Sequence, residues 1–173
     1  MRAEDIARNI KLIILDVDGV LTDGGIYYDH EGHISKRFNV QDGLGIKLAQ
    51  STGLEISVIT GLDNEAVRTR ITELGITDYY PGNPRKVPFF EKLLVMKNLS
   101  PEQVAYVGDD WVDAAVMKRV GLPMAVSNAQ PEIKGLARWI SSRKGGNGAV
   151  REALSFIMQC QGTLEKVWKE WAF

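Results

Sequence analysis

Leu12-Ile13-Ile14-Leu15-Asp16-Val17-Asp18-Gly19-Val20 is an aliphatic run that ends in two acids one residue apart and a glycine. The run does not alternate apolar and polar residues, so it reads as a strand buried on both faces, as in a parallel sheet. Similar runs follow at Ile56 to Ile59, Val104 to Val107 and Leu122 to Val126, with a short strand near Tyr79. Between them lie helical stripes. Val67, Ile71 and Leu74 share one face, as do Val87, Phe90 and Leu94. Val150, Ala153, Leu154, Ile157 and Met158 form the clearest stripe. Ser100-Pro101-Glu102-Gln103 reads as a helix start with a capping box. Strands alternating with helices predict an α/β fold with a doubly wound parallel sheet.

One segment breaks the alternation. Gly25 to Tyr28 and His33 to Phe38 flank Asp29-His30-Glu31-Gly32, the pattern of a β-hairpin. It stands directly after the first strand, where a βα unit would continue into its helix. The expected organisation is a single domain over residues 1–173, with a hairpin insertion at about 25–39 and a C-terminal helical segment at about 147–173. Gly145-Gly146-Asn147-Gly148 reads as a loop and cap before the last strong helix, not as a linker.

Composition excludes several classes. Lys plus Arg is 21 and Asp plus Glu is 22, a net charge of −1. There is no basic excess to meet a phosphate backbone, so no nucleic-acid partner is expected. Cys160 is the single cysteine, which forbids an internal disulfide and suits a reducing compartment. No apolar run approaches the length of a membrane span, and the first residues lack a signal-peptide apolar region. The expectation is a cytoplasmic protein with no membrane partner.

Ligands of open α/β sheets bind beyond the carboxyl ends of the strands. The residues that follow the strands are Asp16 and Asp18, then Thr60-Gly61, then Lys86, then Asp109, Asp110 and Asp113. Packed carboxylates repel and either share protons or hold a cation. An all-oxygen cluster favours Mg²⁺, which recruits a phosphate oxygen. A lysine and a threonine beside the acids fit that anion. If the strand carries on through Asp18, both acids of the Asp-x-Asp pair face one side. Asp16 would then attack phosphorus, while Asp18 protonates the leaving alcohol and deprotonates the incoming water.

Asp16 to Val20, Thr60, Lys86 and Gly108-Asp109-Asp110-x-x-Asp113 resemble, in chain order, the four motifs of the haloacid dehalogenase phosphatase superfamily. Asp16 to Gly24, Phe38-Asn39-Val40, Asp42-Gly43, Ala105 to Asp110 and Gly145-Gly146-x-Gly148-Ala149-Val150-Arg151-Glu152 resemble its branch acting on 3-deoxy-D-manno-octulosonate 8-phosphate, over about Ile10 to Gly162. The resemblance implies that the eight-carbon sugar acid is released with phosphate through an aspartyl-phosphate, in lipopolysaccharide precursor synthesis. It implies Asp16 as nucleophile and Asp18 as acid/base, with Thr60 and Lys86 on the phosphoryl group. Mg²⁺ would be held by Asp16, the Asp18 carbonyl oxygen and Asp109. Asp110 and Asp113 would orient the metal's waters or Lys86.

Two positions depart from that branch. An Arg often follows its Thr-Gly pair, where Leu62 stands here, and Gln41 stands where Arg precedes Asp-Gly. Both changes remove a cation that would meet a sugar acid's carboxylate. They keep open a nine-carbon keto-deoxy sugar acid phosphate or another small sugar phosphate. Gly61 and Gln41 are candidate substrate contacts. Lys36 and Arg37 read either as a solvated strand edge or as cations that reach the substrate.

Asp42 and Asp63 read as helix caps, and His30 and His33 as exposed turn residues. Trp111 reads either as a pocket wall or as packing under the sheet edge, and Trp139, Trp168 and Trp171 as core or interface residues. Two other classes compete with the enzyme. One is a non-catalytic oligomerisation module like those fused to sugar-nucleotide synthetases. The other is a receiver domain, whose acids come in a different strand order. The hairpin is too small to close a water-restricted site alone. The resemblance implies a homo-oligomer, a tetramer in which each hairpin covers a neighbour's active site.

Overall fold

The computed structural model describes residues 2–172. Its elements in chain order are α1 (Ala3–Ala7), β1 (Leu12–Leu15), β2 (Tyr27–Tyr28), β3 (Ile34–Ser35), α2 (Val40–Ser51), β4 (Glu55–Ile59), α3 (Glu65–Glu73), β5 (Asp78–Tyr80), α4 (Val87–Lys97), β6 (Val104–Gly108), α5 (Ala114–Met117), β7 (Leu122–Ala125), α6 (Pro131–Leu136), β8 (Trp139–Ile140), α7 (Ala149–Cys160) and α8 (Leu164–Ala172). The main sheet has six strands in the order β5-β4-β1-β6-β7-β8, all parallel. α1 and α2 pack on α7, while α4 and α6 pack on α5, so helices flank the sheet on both sides. The predicted doubly wound α/β fold is the one observed.

The apolar runs form the strands because helices leave them no solvent face: every residue of β1, β6 and β7 is buried. The α7 stripe of Val150, Ala153, Leu154, Ile157 and Met158 is fully buried. In α4 the buried pair is Phe90 and Leu93, not the expected Val87, Phe90 and Leu94. Val87 and Leu94 lie at the margins of that face, half-buried.

Three local features differ from expectation. Ser100 to Gln103 does not open an α-helix. Pro101–Gln103 is a single 3₁₀ turn leading into β6, with the Ser100 N–H donating to Gln103 Oε1 at 3.1 Å. Burial of Val104 onward overrides the helix-start signal. The hairpin pairs only Tyr27–Tyr28 with Ile34–Ser35, and a separate bridge joins Thr22 to Phe38. With Tyr27 and Tyr28 exposed, nothing extends the ladder. β8 was not expected, since two residues carry no periodic signal. The C-terminal helical segment divides into α7 and α8, and Trp168 and Trp171 on α8 are both about two-thirds exposed, at 67% and 68%.

β1 also stops short of Asp18. It ends at Leu15, and Asp16 is extended. The chain then winds through a helical turn, Val17–Leu21, which is broken at Asp18 and at Gly19 with φ +88°. Asp16 and Asp18 therefore reach one cavity through this turn, not through strand alternation.

Candidate active site

The carboxyl edge of the sheet holds a cavity of about 360 Å³. Asp16, Asp18, Thr60, Gly61, Lys86, Asp109 and Asp110 line it, and Leu62, Pro84 and Val112 form its apolar wall. Asp113 lies behind it, fully buried. All seven predicted catalytic, metal and orienting residues thus meet at one place.

Lys86 is the hub. It precedes α4 and is 2% exposed, which places its ammonium among carboxylates instead of water. Its Nζ lies 2.7 Å from Asp16 Oδ1, 2.7 Å from Asp113 Oδ1 and 3.1 Å from the Tyr106 hydroxyl. Burial works to lower the Lys86 pKa, but Asp16 and Asp113 outweigh it and hold it above the ordinary lysine value. Tyr106 in turn donates to Asp113 Oδ1 at 2.6 Å. Asp113 Oδ2 accepts the Asp109 N–H at 2.9 Å and the Asp110 N–H at 3.3 Å. Asp113 therefore fixes both the lysine and the backbone that presents Asp109.

The acids are electrostatically loaded. Burial, and then the Asp113 charge, push the Asp16 carboxyl up to about 8 against the pull of Lys86. Burial, then Asp113 and Asp110, raise Asp109 to about 7. Such carboxyls hold protons near neutrality unless a cation joins them.

The residues fit a hard divalent cation. Asp109 Oδ1 is buried with no hydrogen-bond partner, and single oxygens of Asp16, Asp109 and Asp113 lie within 4.8 Å of one another. Both Asp113 oxygens are already committed to Lys86, Tyr106 and backbone N–H groups. Asp16 and Asp109 are therefore the side-chain donors left for a metal. Gly19 completes the cradle, because a Cβ there would stand 2.0 Å from Asp109 Oδ2. An all-oxygen set of this size suits Mg²⁺.

The candidate substrate contacts divide. Lys36 reaches from the hairpin to the Asp18 carboxylate, and its side chain is 1% exposed. Arg37 points elsewhere: it donates to Gly146 O and Asn147 Oδ1, each at 3.2 Å, and ties the hairpin to the loop before α7. Gln41 is exposed and does not line the cavity. Trp111 neither walls the cavity nor packs under the edge. It is 67% exposed and donates to Glu132 Oε2 at 3.2 Å. Trp139 stacks on Phe156 with centroids 5.3 Å apart. His30 and His33 are exposed, and His33 lies beside Asp29 and Glu31.

The expected caps are placed differently. Asn39 and Asn64, not Asp42 and Asp63, cap α2 and α3, accepting the N–H groups of Gln41 and Ala66. Asp63 pairs with Arg68. Asp42 caps the neighbouring helix instead, accepting Arg151 N–H at 2.8 Å and Gly148 N–H at 3.2 Å. Sequence reasoning also missed Tyr106, whose only signal is a phenol in an otherwise aliphatic strand. It missed, too, how Gly145 and Gly146 pack on the active-site turn. A Cβ on Gly145 would stand 1.7 Å from Gly19 O, and one on Gly146 2.4 Å from Asp23 N. Gly146 N–H donates to Val20 O at 3.0 Å, so this loop braces the turn that carries Asp18.

Comparison with known proteins agrees with this geometry. Residues 72–154 match the haloacid dehalogenase-like hydrolase family. The chain is 45% identical over 160 residues to 3-deoxy-D-manno-octulosonate 8-phosphate phosphatase KdsC of Escherichia coli, covering 92% of this chain and 85% of that protein. The crystal structure of the Yersinia pestis phosphatase of the same name superposes with a TM-score of 0.92 at 42% identity, over 94% of this chain and 88% of that one. The Moraxella catarrhalis phosphatase, solved with magnesium, phosphate and the sugar acid KDO, superposes with a TM-score of 0.95 at 33% identity, over 98% and 97%. With its motif residues gathered on one sheet edge and its relatives aligned over nearly their whole length, this chain belongs to the haloacid dehalogenase-like hydrolases, among the 3-deoxy-D-manno-octulosonate 8-phosphate phosphatases.

Proposed function

We propose that this chain is a Mg²⁺-dependent phosphomonoesterase that hydrolyses 3-deoxy-D-manno-octulosonate 8-phosphate to the free sugar acid and phosphate. The observation that carries the reading is the single cavity that holds Asp16, Asp18, Thr60, Lys86 and Asp109 together. The eight-carbon substrate follows from the relatives named above, and the free sugar acid then enters lipopolysaccharide precursor synthesis. The complete acid–lysine–threonine set argues against a non-catalytic oligomerisation module.

In this reading the Asp16 carboxylate forms a bond to phosphorus as the bond to the sugar oxygen breaks. The Asp18 carboxyl gives its proton to that oxygen, and the sugar acid departs. The Asp18 carboxylate then takes a proton from a water that attacks phosphorus, and phosphate leaves with Asp16 restored. Thr60 and Lys86 hold the phosphoryl oxygens, and Lys86 is aimed by Asp113 and Tyr106. A divalent cation held by Asp16, the Asp18 carbonyl oxygen and Asp109 supplies positive charge that favours the ionised acids and offsets phosphate charge.

Of the candidate substrate contacts, Gly61 lines the cavity, and Lys36 is held behind it on the Asp18 carboxylate. Leu62 offers the substrate no charge there, which favours keeping nine-carbon keto-deoxy acid phosphates in any panel. We infer that the working form is a homotetramer in which each hairpin covers a neighbouring site. Only the hairpin stands between the active-site turn and α2, and it leaves Ile26, Tyr27 and Tyr28 exposed. We place the enzyme in the cytoplasm, on its lone half-buried cysteine. Among the described residues no helix is long and apolar enough to cross a membrane.

Steady-state kcat/KM over eight- and nine-carbon keto-deoxy acid phosphates and hexose phosphates tests the substrate. The eight-carbon ester is expected to lead. A hexose phosphate preferred over both acids overturns the assignment. A fully active monomer in sedimentation contradicts the tetramer.

A further inference from the structure

The opposite edge of the sheet carries a second feature, which the phosphatase reaction leaves unused. A cavity of about 960 Å³ opens at the amino ends of the parallel strands, compared with about 360 Å³ at the carboxyl edge. Arg8, Lys11, Arg119 and Arg138 line it, with Glu102 as the one acid in its lining. Topology explains the convergence. Lys11 immediately precedes β1, Arg138 immediately precedes β8, and Arg119 stands just before β7, while β1, β6, β7 and β8 are successive neighbours in the sheet. The chain as a whole is charge-balanced at −1, so this row is a local excess.

The cations are not consumed by internal partners to the same degree. Arg8 pairs with Asp5 at 2.9 Å, and Arg119 donates to the carbonyl oxygen of Ala115 in α5. Among the described residues, Lys11 and Arg138 have no carboxylate within ion-pair distance and no side-chain hydrogen bond. Ile10 and Val120 supply buried apolar floor between them. Adjacent strands lie about 4.8 Å apart, so the row from β1 to β8 spans roughly 14 Å. A single phosphate reaches one or two of these cations. An anion with several linked phosphates engages the row, and guanidinium groups match phosphate oxygens in pairs.

We propose that the amino edge of the sheet is a binding groove for a small polyanion that carries two or more linked phosphates, separate from the phosphatase site. Calorimetric titration of metal-free wild-type protein with inorganic tripolyphosphate tests it. The metal-free carboxyl edge holds five aspartates against two lysines, Lys86 and Lys36, an acidic balance that disfavours such a probe there.

The expected result is one equivalent bound, with affinity falling as salt rises. The Lys11→Ala/Arg138→Ala double variant is expected to bind at least tenfold more weakly, and Arg119→Ala severalfold more weakly. These side chains are exposed, so the variants fold, and their kcat/KM in the absence of probe stays at the wild-type value. Two results overturn the proposal. One is no binding at millimolar probe. The other is equal binding by wild type and double variant. If the variants only lower Tm while the wild type binds nothing, the cations serve solely to neutralise helix C-termini, and the groove is not a ligand site.

Discussion

Replacing Asp113 by Asn preserves its shape and removes its charge. The side chain is 0% exposed and makes four contacts: Lys86 Nζ at 2.7 Å, Tyr106 OH at 2.6 Å, and the N–H groups of Asp109 at 2.9 Å and Asp110 at 3.3 Å. All four are donors. An Asn presents one oxygen and one NH₂, so whichever way it turns, its amide nitrogen faces donors. Either Lys86 and Tyr106 or the Asp109 backbone loses its acceptor.

Removing one partner of a buried ion pair costs about 3–5 kcal/mol. For a chain of this length that lowers Tm by roughly 6–20 °C. The lost charge also eases the Asp16 carboxyl downward, since Asp113 is the second cause of its elevation. That gain bears on Asp16 alone and restores neither the aim of Lys86 nor the placement of Asp109. We expect kcat/KM to fall at least about 100-fold, beyond the loss accounted for by unfolding, in a Mg²⁺-saturated phosphate-release assay on refolded, monodisperse protein. Asp110→Asn is the comparison: its exposed carboxylate caps one 3₁₀ turn, and Tm is expected to move by only a few degrees. An Asp113→Asn enzyme within threefold of wild type, with Tm lowered by under 2 °C, would rule out this role for Asp113.

Other expectations follow from the same geometry. Gly145→Ala drives a Cβ into the Gly19 carbonyl, so the active-site turn must shift. We expect about 1–3 kcal/mol of destabilisation by denaturant melt and a large loss of kcat, whereas Gly135→Ala, with open space around it, is tolerated. Asp18→Asn is expected to lower turnover by roughly 10²–10⁴-fold. With p-nitrophenyl phosphate, whose leaving group needs no acid, it should still release about one equivalent of nitrophenol in a burst and then stall as phosphoenzyme. A steady rate without a burst contradicts that role.

For pH, Asp16 at about 8 and Asp109 at about 7 bind protons more tightly in the folded metal-free chain than their ordinary value of 3.8 allows. Their contribution to stability is present below about pH 4 and is lost as pH rises through 7 to 8. Metal-free Tm should therefore decline over that window, and the Tm gain on adding Mg²⁺ should be larger at about pH 8 than at about pH 6. A Tm gain that shrinks with rising pH contradicts the assignment of Asp16 and Asp109 as ligands.

The parallel sheet was legible because burial on both faces forces uninterrupted aliphatic runs, as in Leu12–Leu15 and Val104–Val107. The gathering of the candidate site residues at one sheet edge was legible because Asp16, Thr60 and Asp109 each sit directly after a strand and Lys86 directly before a helix, where the chain order fixes the spatial order. What failed was local and context-dependent. Ser100 to Gln103 carries every helix-start signal, yet β6 takes the chain back into the sheet after one turn. Asp42 does cap a helix, but α7 and not its own, a pairing across more than a hundred residues that no local pattern carries. Asp18 reaches the cavity by a turn with a positive-φ glycine, which a period-two argument does not anticipate. Tyr106 and the Gly145–Gly146 brace depend on packing distances, and these exist only once the loop before α7 closes on Gly19.

In the proposed reaction Asp16 dephosphorylates 3-deoxy-D-manno-octulosonate 8-phosphate with the help of Mg²⁺. Its most direct test is phosphate release from that ester by wild type and by mass-verified Asp16→Asn protein, each with Mg²⁺ and after chelation. Release by wild type only with Mg²⁺, and none by Asp16→Asn, is the predicted result. Release that survives in Asp16→Asn, or a wild type inert toward this ester while active on another phosphate, contradicts the account.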